Sequence, residues 1–221
     1  LERGGLLMTD VRLDVIAIGS LAKNPYWNEK VAVREEYATA TLVRSGEAAI
    51  LVDPGWPAEV LRAALYYRAG LEPKAVTHVF LTHFDRAHRR GIGLLAKAVW
   101  WMYEEEIRYA DAEAPADSPD RRVLARLEAA PERLAPGVDL YPTFGHTPGH
   151  ASLLVYSAVQ GTVVAGDAVL TRDHFEHGNL GDPPYDLVKA KESFRDLVEA
   201  ADAVVPGHDN LFSCRTGPSL A

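Results

Sequence analysis

Residues 76–88 read VTHVFLTHFDRAH. The first part, residues 76–81, is largely apolar and predicts a buried β-strand. The part that follows is polar and carries two histidines and an aspartate, namely His83, Asp85 and His88. Ligand sites in open α/β sheets usually form beyond the carboxyl ends of the strands. The stretch therefore predicts a functional loop at one edge of a sheet.

The rest of the chain alternates between strand-like and helical patterns. Further strands are predicted over residues 11–19, 38–44, 48–52, 97–102, 139–142, 151–157, 162–165 and 203–205. Helices are predicted over residues 57–67, 103–110, 120–130 and 185–201, with a loop over residues 112–119. The strands fall into two blocks, an order that fits two mixed sheets with helices on their outer faces. Residues 97–136 are expected to decorate the rim of the cleft.

Length and composition indicate one folded domain. The chain has 221 residues, of which 48% are hydrophobic and 24% are charged, which is typical of a globular protein. We expect the domain to span residues 8–214. Met8 is a candidate natural start, residues 1–7 are expected to be disordered or an added segment, and residues 215–221 are expected to form a tail.

The charge and the cysteine content indicate which partners and which cellular location to expect. A net charge of −8 argues against a general electrostatic attraction to nucleic acid or to anionic lipid. No apolar run reaches the roughly 18 residues that a membrane span needs. The only cysteine, Cys214, cannot form an intrachain disulfide, so a reducing, cytoplasmic location is expected. The expected partner is a small-molecule substrate, and a homo-oligomer is left open.

Three more metal-competent side chains follow predicted strands or short turns. His146 comes after Thr-Phe-Gly, Asp167 follows the apolar strand at residues 162–165, and His208 follows Pro-Gly. A single loop histidine is usually solvated or satisfied by a neighbour, but several such residues at strand ends are hard to explain by coincidence. Histidine and carboxylate side chains that converge on one rim are the usual way to bind a divalent metal.

Four motifs that are separated along the chain together resemble the pattern of a known family. They are Thr82 to His88, the His-Thr-Pro-Gly-His run from His146 to His150, Gly166-Asp167, and Gly207-His208. Their order resembles that of the metallo-β-lactamase superfamily, including its glyoxalase II-like members. The family pattern is Thr-His-x-His-x-Asp-His, followed by His-Thr-Pro-Gly-His, Gly-Asp and Gly-His. The resemblance covers residues 11–208 and implies a four-layer αββα sandwich with a hydrolytic site for one or two metals.

The first motif departs from the family pattern at two positions. Asp85 stands where the family has its second histidine, and Ala87 stands where the family has its aspartate. By position, the resemblance gives metal site 1 the ligands His83, Asp85, His146 and Asp167. It gives metal site 2 the ligands His88, Asp167 and His208. One carboxylate has in effect moved from site 2 to site 1, so site 2 is expected to be weaker. Zinc is the expected metal, with manganese or iron as alternatives.

The resemblance implies a metal-dependent hydrolase. A metal-bound hydroxide would attack an ester, thioester, lactone or phosphodiester. The expected catalytic residues are Asp167, which would bridge the metals, and Asp85, which would act as a ligand or a base. One alternative is a degenerate member that binds a metal or ligand without catalysis, since Ala87 replaces a family ligand. The second alternative, a nuclease or phosphodiesterase, is disfavoured by the acidic charge.

Other residues receive structural interpretations first. His150 is expected to orient the loop or a ligand, and His78 to be packed within its strand. His174 and His177 are expected to be exposed, with contact to substrate or replacement of the missing ligand as the alternative. Asp53 either supports the loop that carries His83 or is a turn residue of Asp-Pro-Gly.

Overall fold

The computed structural model describes residues 10–157, 160–181 and 183–214. The expectations for residues 1–7, for Met8 and for residues 215–221 lie outside these ranges.

The first half of the chain forms a six-stranded sheet. Its strands are β1 (Arg12–Ala17), β2 (Ala40–Ser45), β3 (Ala48–Val52), β4 (His78–Leu81), β5 (Val99–Met102) and β6 (Leu127–Ala129). They lie in sequence order across the sheet. The pairs β1–β2 and β2–β3 are antiparallel, and the pairs from β3 to β6 are parallel. The Gly46 turn between β2 and β3 has a φ of 57°, which favours glycine.

The second half forms another six-stranded sheet. Its strands are β7 (Arg133–Ala135), β8 (Val138–Pro142), β9 (Ala151–Tyr156), β10 (Gly161–Gly166), β11 (Ala203–Pro206) and β12 (Phe212–Ser213). These strands also follow sequence order from one edge to the other. Only β10 and β11 pair in parallel within this sheet. Each sheet is therefore built from one continuous half of the chain.

Helices cover the outer faces of both sheets. They are α1 (Ala58–Ala69), α2 (Arg86–Arg89), α3 (Glu104–Glu113), α4 (Asp120–Leu124), α5 (Arg172–Glu176) and α6 (Leu187–Ala200). The α1 helix ends at Gly70, whose φ of 66° suits a left-handed cap, and α6 begins at Asp186, whose side chain accepts two backbone N–H groups. Short 3-10 turns lie at Pro25–Trp27, Pro73–Ala75 and Ile92–Leu95.

Side-chain alternation along the strands produces three apolar layers. In β3, Ile50 and Val52 point towards the second sheet, whereas Leu51 packs on the α1 side. The outer layers contain Leu61 of α1 on one side and Leu197 of α6 on the other. The order is therefore helix, sheet, sheet, helix, and the predicted four-layer αββα sandwich is confirmed.

Two expectations about the middle of the chain are wrong. The helix predicted over residues 120–130 ends at Leu124, and Leu127–Ala129 forms β6. Pairing with β5 outweighs the local helical pattern, and Arg126 covers the Trp100 ring with its guanidinium 3.6 Å from the ring centroid. Residues 97–136 accordingly contribute three strands to the sheets, so they are more than a decoration of the rim.

The two sheets are joined at one edge by backbone hydrogen bonds. Ala151 N donates to the carbonyl of Thr82 at 3.0 Å, and Thr39 N donates to the carbonyl of Gly207 at 2.6 Å. Gly166 has a φ of 52°, and a Cβ there would lie 2.6 Å from Thr82 Oγ1. This close approach places the residues after β4 and after β10 against each other.

Gly55 provides a test of a second close approach, between the residues after β3 and the residues after β4. A Cβ on Gly55 would overlap the carbonyl oxygen of Ala87, whereas a Cβ on Gly93 meets no heavy atom within 4 Å. We expect Gly55→Ala to lower the free energy of unfolding by about 1–3 kcal/mol, because the backbone must shift. Gly93→Ala is the matched control and should stay within about 0.5 kcal/mol of the native protein. Urea denaturation measures both values, and equal stability of the two variants would contradict this packing.

Candidate metal centre

Asp167 lies at the centre of a group of imidazoles. Its Oδ1 is 3.2 Å from His88 Nε2 and 3.2 Å from His208 Nε2. Its Oδ2 is 3.8 Å from His83 Nε2 and 3.5 Å from His146 Nε2. One carboxylate thus faces two pairs of nitrogens, each pair with its own oxygen. The two compact ligand groups are His83, His146, Asp167 and His88, Asp167, His208.

The chemistry of these atoms fits a divalent cation. Among the described residues, His83 Nε2, His88 Nε2 and Asp167 Oδ1 are buried and make no hydrogen bond. A buried polar atom without a partner costs about 1–3 kcal/mol. One cation in each group would together satisfy all three atoms, and imidazole nitrogen with carboxylate oxygen is a donor set that zinc and related metals take.

Asp53 forms hydrogen bonds with two residues of the first motif, Thr82 and His88. Its Oδ1 accepts from Thr82 N at 2.9 Å, and its Oδ2 accepts from Thr82 Oγ1 and from His88 Nδ1 at 2.9 Å. The Nδ1 proton of His88 is thereby committed to Asp53, which leaves Nε2 free to face Asp167. His208 is held in the same way, because its Nδ1 lies 3.0 Å from the carbonyl of Tyr37.

His150 positions Asp167 through the backbone. It is fully buried, and its Nδ1 lies 3.1 Å from the carbonyl of Thr143. Its Nε2 accepts the backbone N–H of Asp167 at 3.1 Å. Burial lowers the pKa of His150 well below the usual histidine value, so the ring is neutral and able to accept. His150 therefore orients the strand end that carries Asp167.

Glu106 of α3 is a residue that the sequence interpretation missed. It is buried, and its Oε2 accepts from Thr147 Oγ1 at 2.7 Å and from Gly149 N at 3.1 Å. Its Oε1 accepts from Phe84 N at 3.2 Å. One carboxylate thus ties the loop of His83 to the loop of His146. Glu106 is the third residue of a Glu-Glu-Glu run at the start of α3. Such a run is typical of an exposed acidic first turn, and nothing in the local sequence indicates that its third residue is buried.

The pKa values differ across the centre. Burial opposes ionisation of Asp167, but the neighbouring His208 and His88 hold the pKa of its carboxyl well below the usual range. Burial also opposes protonation of His88, yet the charges of Asp167 and Asp53 raise its pKa well above the ordinary value. Burial lowers the pKa of His146 to about 4. A cation would therefore compete with a proton at His88, whereas His146 offers a neutral nitrogen at pH 7.

Asp85 and Ala87 occupy the positions where the first motif is unusual. Asp85 Oδ2 lies 3.5 Å from His83 Nε2, and its side chain is 65% exposed. It stands outside the two compact ligand groups but next to one of them. Ala87 provides no ligand, and its carbonyl accepts from Ala38 N at 3.0 Å.

The remaining histidines lie away from the two ligand groups. His78 is half-buried and stacks on Trp101, with ring centroids 4.1 Å apart. His177 is exposed and stacks on Tyr26. The expectation of exposure is wrong for His174, which is buried with its Nδ1 2.7 Å from Thr171 Oγ1. The side-chain cap at the start of α5 draws this ring inwards.

Comparison with known proteins identifies the family. A family model described as the metallo-beta-lactamase superfamily matches residues 33–208, which is most of the chain. The chain belongs to the metallo-β-lactamase superfamily. The predicted family is confirmed. Separately, no helix among the described residues has the length and apolar character needed to cross a bilayer.

Two curated proteins resemble the chain in sequence. Human metallo-beta-lactamase domain-containing protein 1 is 31% identical over 182 residues, which cover 79% of this chain and 63% of that protein. An N-acyl homoserine lactonase from Bacillus is 28% identical over 151 residues, which cover 64% of this chain and 59% of that enzyme. The matched segment is therefore about three fifths of each relative.

Solved structures of the superfamily share the fold. A Thermotoga maritima protein superposes with a TM-score of 0.69 at 19% identity, covering 92% of this chain and 99% of that one. AidC, a dizinc quorum-quenching lactonase with a bound product, gives 0.65 at 18% identity, covering 90% of this chain and 85% of that one. A further N-acyl homoserine lactone lactonase gives 0.66 at 20% identity, covering 92% and 93%.

Asp53→Asn tests the support beneath the centre. The φ of Asp53 is 49°, a conformation that asparagine tolerates well, so we expect the variant to fold. Loss of the negative charge beside His88 should weaken metal binding by about 10–100-fold. Competition with a chromophoric chelator measures the affinity, and Asp117→Asn in the exposed loop before α4 is the control. An unchanged affinity would show that the charge of Asp53 does not contribute to metal binding.

Proposed function

We propose that this chain is a metal-dependent hydrolase of small acyl esters, with lactones as the leading substrate class. The observation that carries the proposal is the bridging position of Asp167 between two pairs of imidazole nitrogens. A divalent metal bound there supplies Lewis acidity, which lowers the pKa of water and stabilises negative charge on a carbonyl oxygen. Zinc is the proposed metal, with manganese or iron as alternatives because of the carboxylate ligands.

The residues of the chain divide the work of ester hydrolysis. Asp167 and the four surrounding histidines would hold the metal at the strand ends. Water adds its oxygen to the acyl carbon, the acyl C–O bond breaks, and the alkoxide oxygen that leaves takes the proton that the water gives up. The exposed side chain of Asp85 and the side chain of His146, which is 25% exposed, lie where a substrate can reach them.

The relatives support lactones as the substrate class. One curated relative is an N-acyl homoserine lactonase, and a solved structure of the same fold holds the product of a lactonase reaction. The acidic chain argues against a polyanionic substrate such as a nucleic acid. Two alternatives stay open. The substrate is a phosphodiester, or the chain binds metal without catalysis because Ala87 supplies no ligand.

We further propose that the chain works in the cytoplasm. The support is the lone Cys214, which has no intrachain partner. Burial raises the pKa of its thiol to about 11, so the thiol is a poor nucleophile at neutral pH and we assign it no part in catalysis.

Asp85 is proposed as the fourth ligand of site 1. Its oxygen lies beside His83 Nε2, a buried nitrogen without a hydrogen bond. Asp85→Ala should therefore remove the site 1 metal or weaken it by about 10–100-fold, because one anionic ligand is lost. Metal analysis of protein purified without added metal gives the equivalents per chain, with Asp117→Ala as the control. Full occupancy in Asp85→Ala would leave Asp85 the role of a base.

Asp167→Asn tests the hydrolase itself. The native protein should hydrolyse N-hexanoyl homoserine lactone or a p-nitrophenyl ester, and a chelator should abolish the activity. Asp167→Asn should lower kcat/KM by about 100-fold or more, since the bridging charge is lost. Steady-state kinetics over esters, lactones and bis-p-nitrophenyl phosphate provide the measurement. A metal-loaded native protein that cleaves none of them would support the silent alternative.

A further inference from the structure

The second ligand group is incomplete by comparison with the first. Site 1 has Asp85 beside its two histidines and Asp167, whereas site 2 has only His88, His208 and Asp167. Ala87 contributes a methyl group where the family pattern has a carboxylate. His88 Nε2 and Asp167 Oδ1 are nevertheless buried, and neither atom has a hydrogen-bond partner in the described part of the chain. Site 2 therefore has one protein ligand fewer than site 1 with Asp85, and a fourth would have to come from another part of the chain.

The segment before β2 passes directly over site 2. The carbonyl of Tyr37 lies 3.0 Å from His208 Nδ1, and Ala38 N donates to the carbonyl of Ala87 at 3.0 Å. Thr39 N then donates to the carbonyl of Gly207 at 2.6 Å. Three consecutive residues are therefore attached to a site 2 ligand, to the position of the lost carboxylate, and to the neighbour of His208.

Glu36 immediately precedes Tyr37 in this segment. Its Oε1 lies 3.4 Å from His208 Nε2, the nitrogen that faces Asp167. Its Oε2 accepts from the backbone N–H of Ala22 at 3.4 Å, which leaves Oε1 directed at the centre. The side chain is 40% exposed and is therefore able to rotate within the opening.

The space around Glu36 is continuous with the space above Ala87. Both residues line a cleft of about 350 Å³ beside the centre. A carboxylate on residue 87 would border this cleft, which the Glu36 side chain also lines. A ligand role for Glu36 would require its exposed side chain to rotate within this cleft.

The adjacent glutamate has a different role. Glu35 accepts from the Tyr37 hydroxyl at 2.5 Å and forms an ion pair with Arg90. Its charge is therefore already paired at the surface. Glu36 has no Lys or Arg partner among the ion pairs of the described residues, and its only short ionic contact is with His208.

We propose that Glu36 is the fourth protein ligand of metal site 2 and replaces the carboxylate that Ala87 lacks. The inference rests on the proposed metal-dependent function but concerns metal binding, which is measured separately from turnover. Glu36, His88, His208 and Asp167 together would provide two nitrogens and two carboxylate oxygens, a set that suits zinc or manganese.

The experiment counts and ranks metal equivalents. Native protein, Glu36→Gln and the matched control Glu35→Gln are freed of metal and titrated with zinc against a chromophoric chelator. Native protein and Glu35→Gln should bind two equivalents. Glu36→Gln should keep the first equivalent and bind the second about 10–100-fold more weakly. Cobalt titration adds a second readout, because the visible spectrum of the second equivalent should change only in Glu36→Gln.

A rescue variant distinguishes a ligand from a structural residue. Adding Ala87→Asp to Glu36→Gln should restore the tight second equivalent, since a carboxylate returns at the family position. Two equally tight equivalents in Glu36→Gln, or a single equivalent in the native protein, would overturn the assignment. If the second equivalent depends on Glu36 but no substrate is hydrolysed, the ligand assignment stands and the proposed hydrolase fails.

Discussion

A negative charge buried at the edge of two sheets is the constraint on which this centre depends. Asp167 is only 7% exposed, and an isolated carboxylate in such a place would be strongly destabilising. The surrounding imidazoles compensate the charge, and His150 and the left-handed turn at Gly166 hold the carboxylate in position. The buried carboxylate lowers the stability of the fold locally. A cation-binding site nevertheless requires metal-ligand atoms that face each other without hydrogen-bond partners.

The sequence predicts the parts of this centre that are encoded locally. Apolar strands followed by short polar motifs placed His83, His146 and Asp167 at strand ends, and the structure has them there. Glu106 and Glu36 escaped prediction because their roles depend on contacts between distant segments. Tyr37, beside Glu36, contacts His208 across 171 positions of the chain. No periodicity or spacing reports such a contact.

The same distinction explains the errors in the fold. Residues 120–130 have a helical pattern, yet the last part forms β6 because an unpaired β5 edge is available in the sheet. The exposure expected for His174 failed for a related reason, since its loop folds into a short helix with a Thr171 cap. In both cases a pairing or capping partner, rather than the intrinsic preference of the segment, decided the outcome.

The division of the chain into two sequential sheets has a consequence for how the centre assembles. His83 and His88 follow strands of the sheet formed by residues 12–129, whereas His146, Asp167 and His208 follow strands of the sheet formed by residues 133–213. A cation bound by these residues would link two contiguous halves of the polypeptide. The metal affinity and the free energy with which the two halves pack together would then be linked. A substitution that weakens the apolar layer between the sheets would therefore also lower the metal affinity.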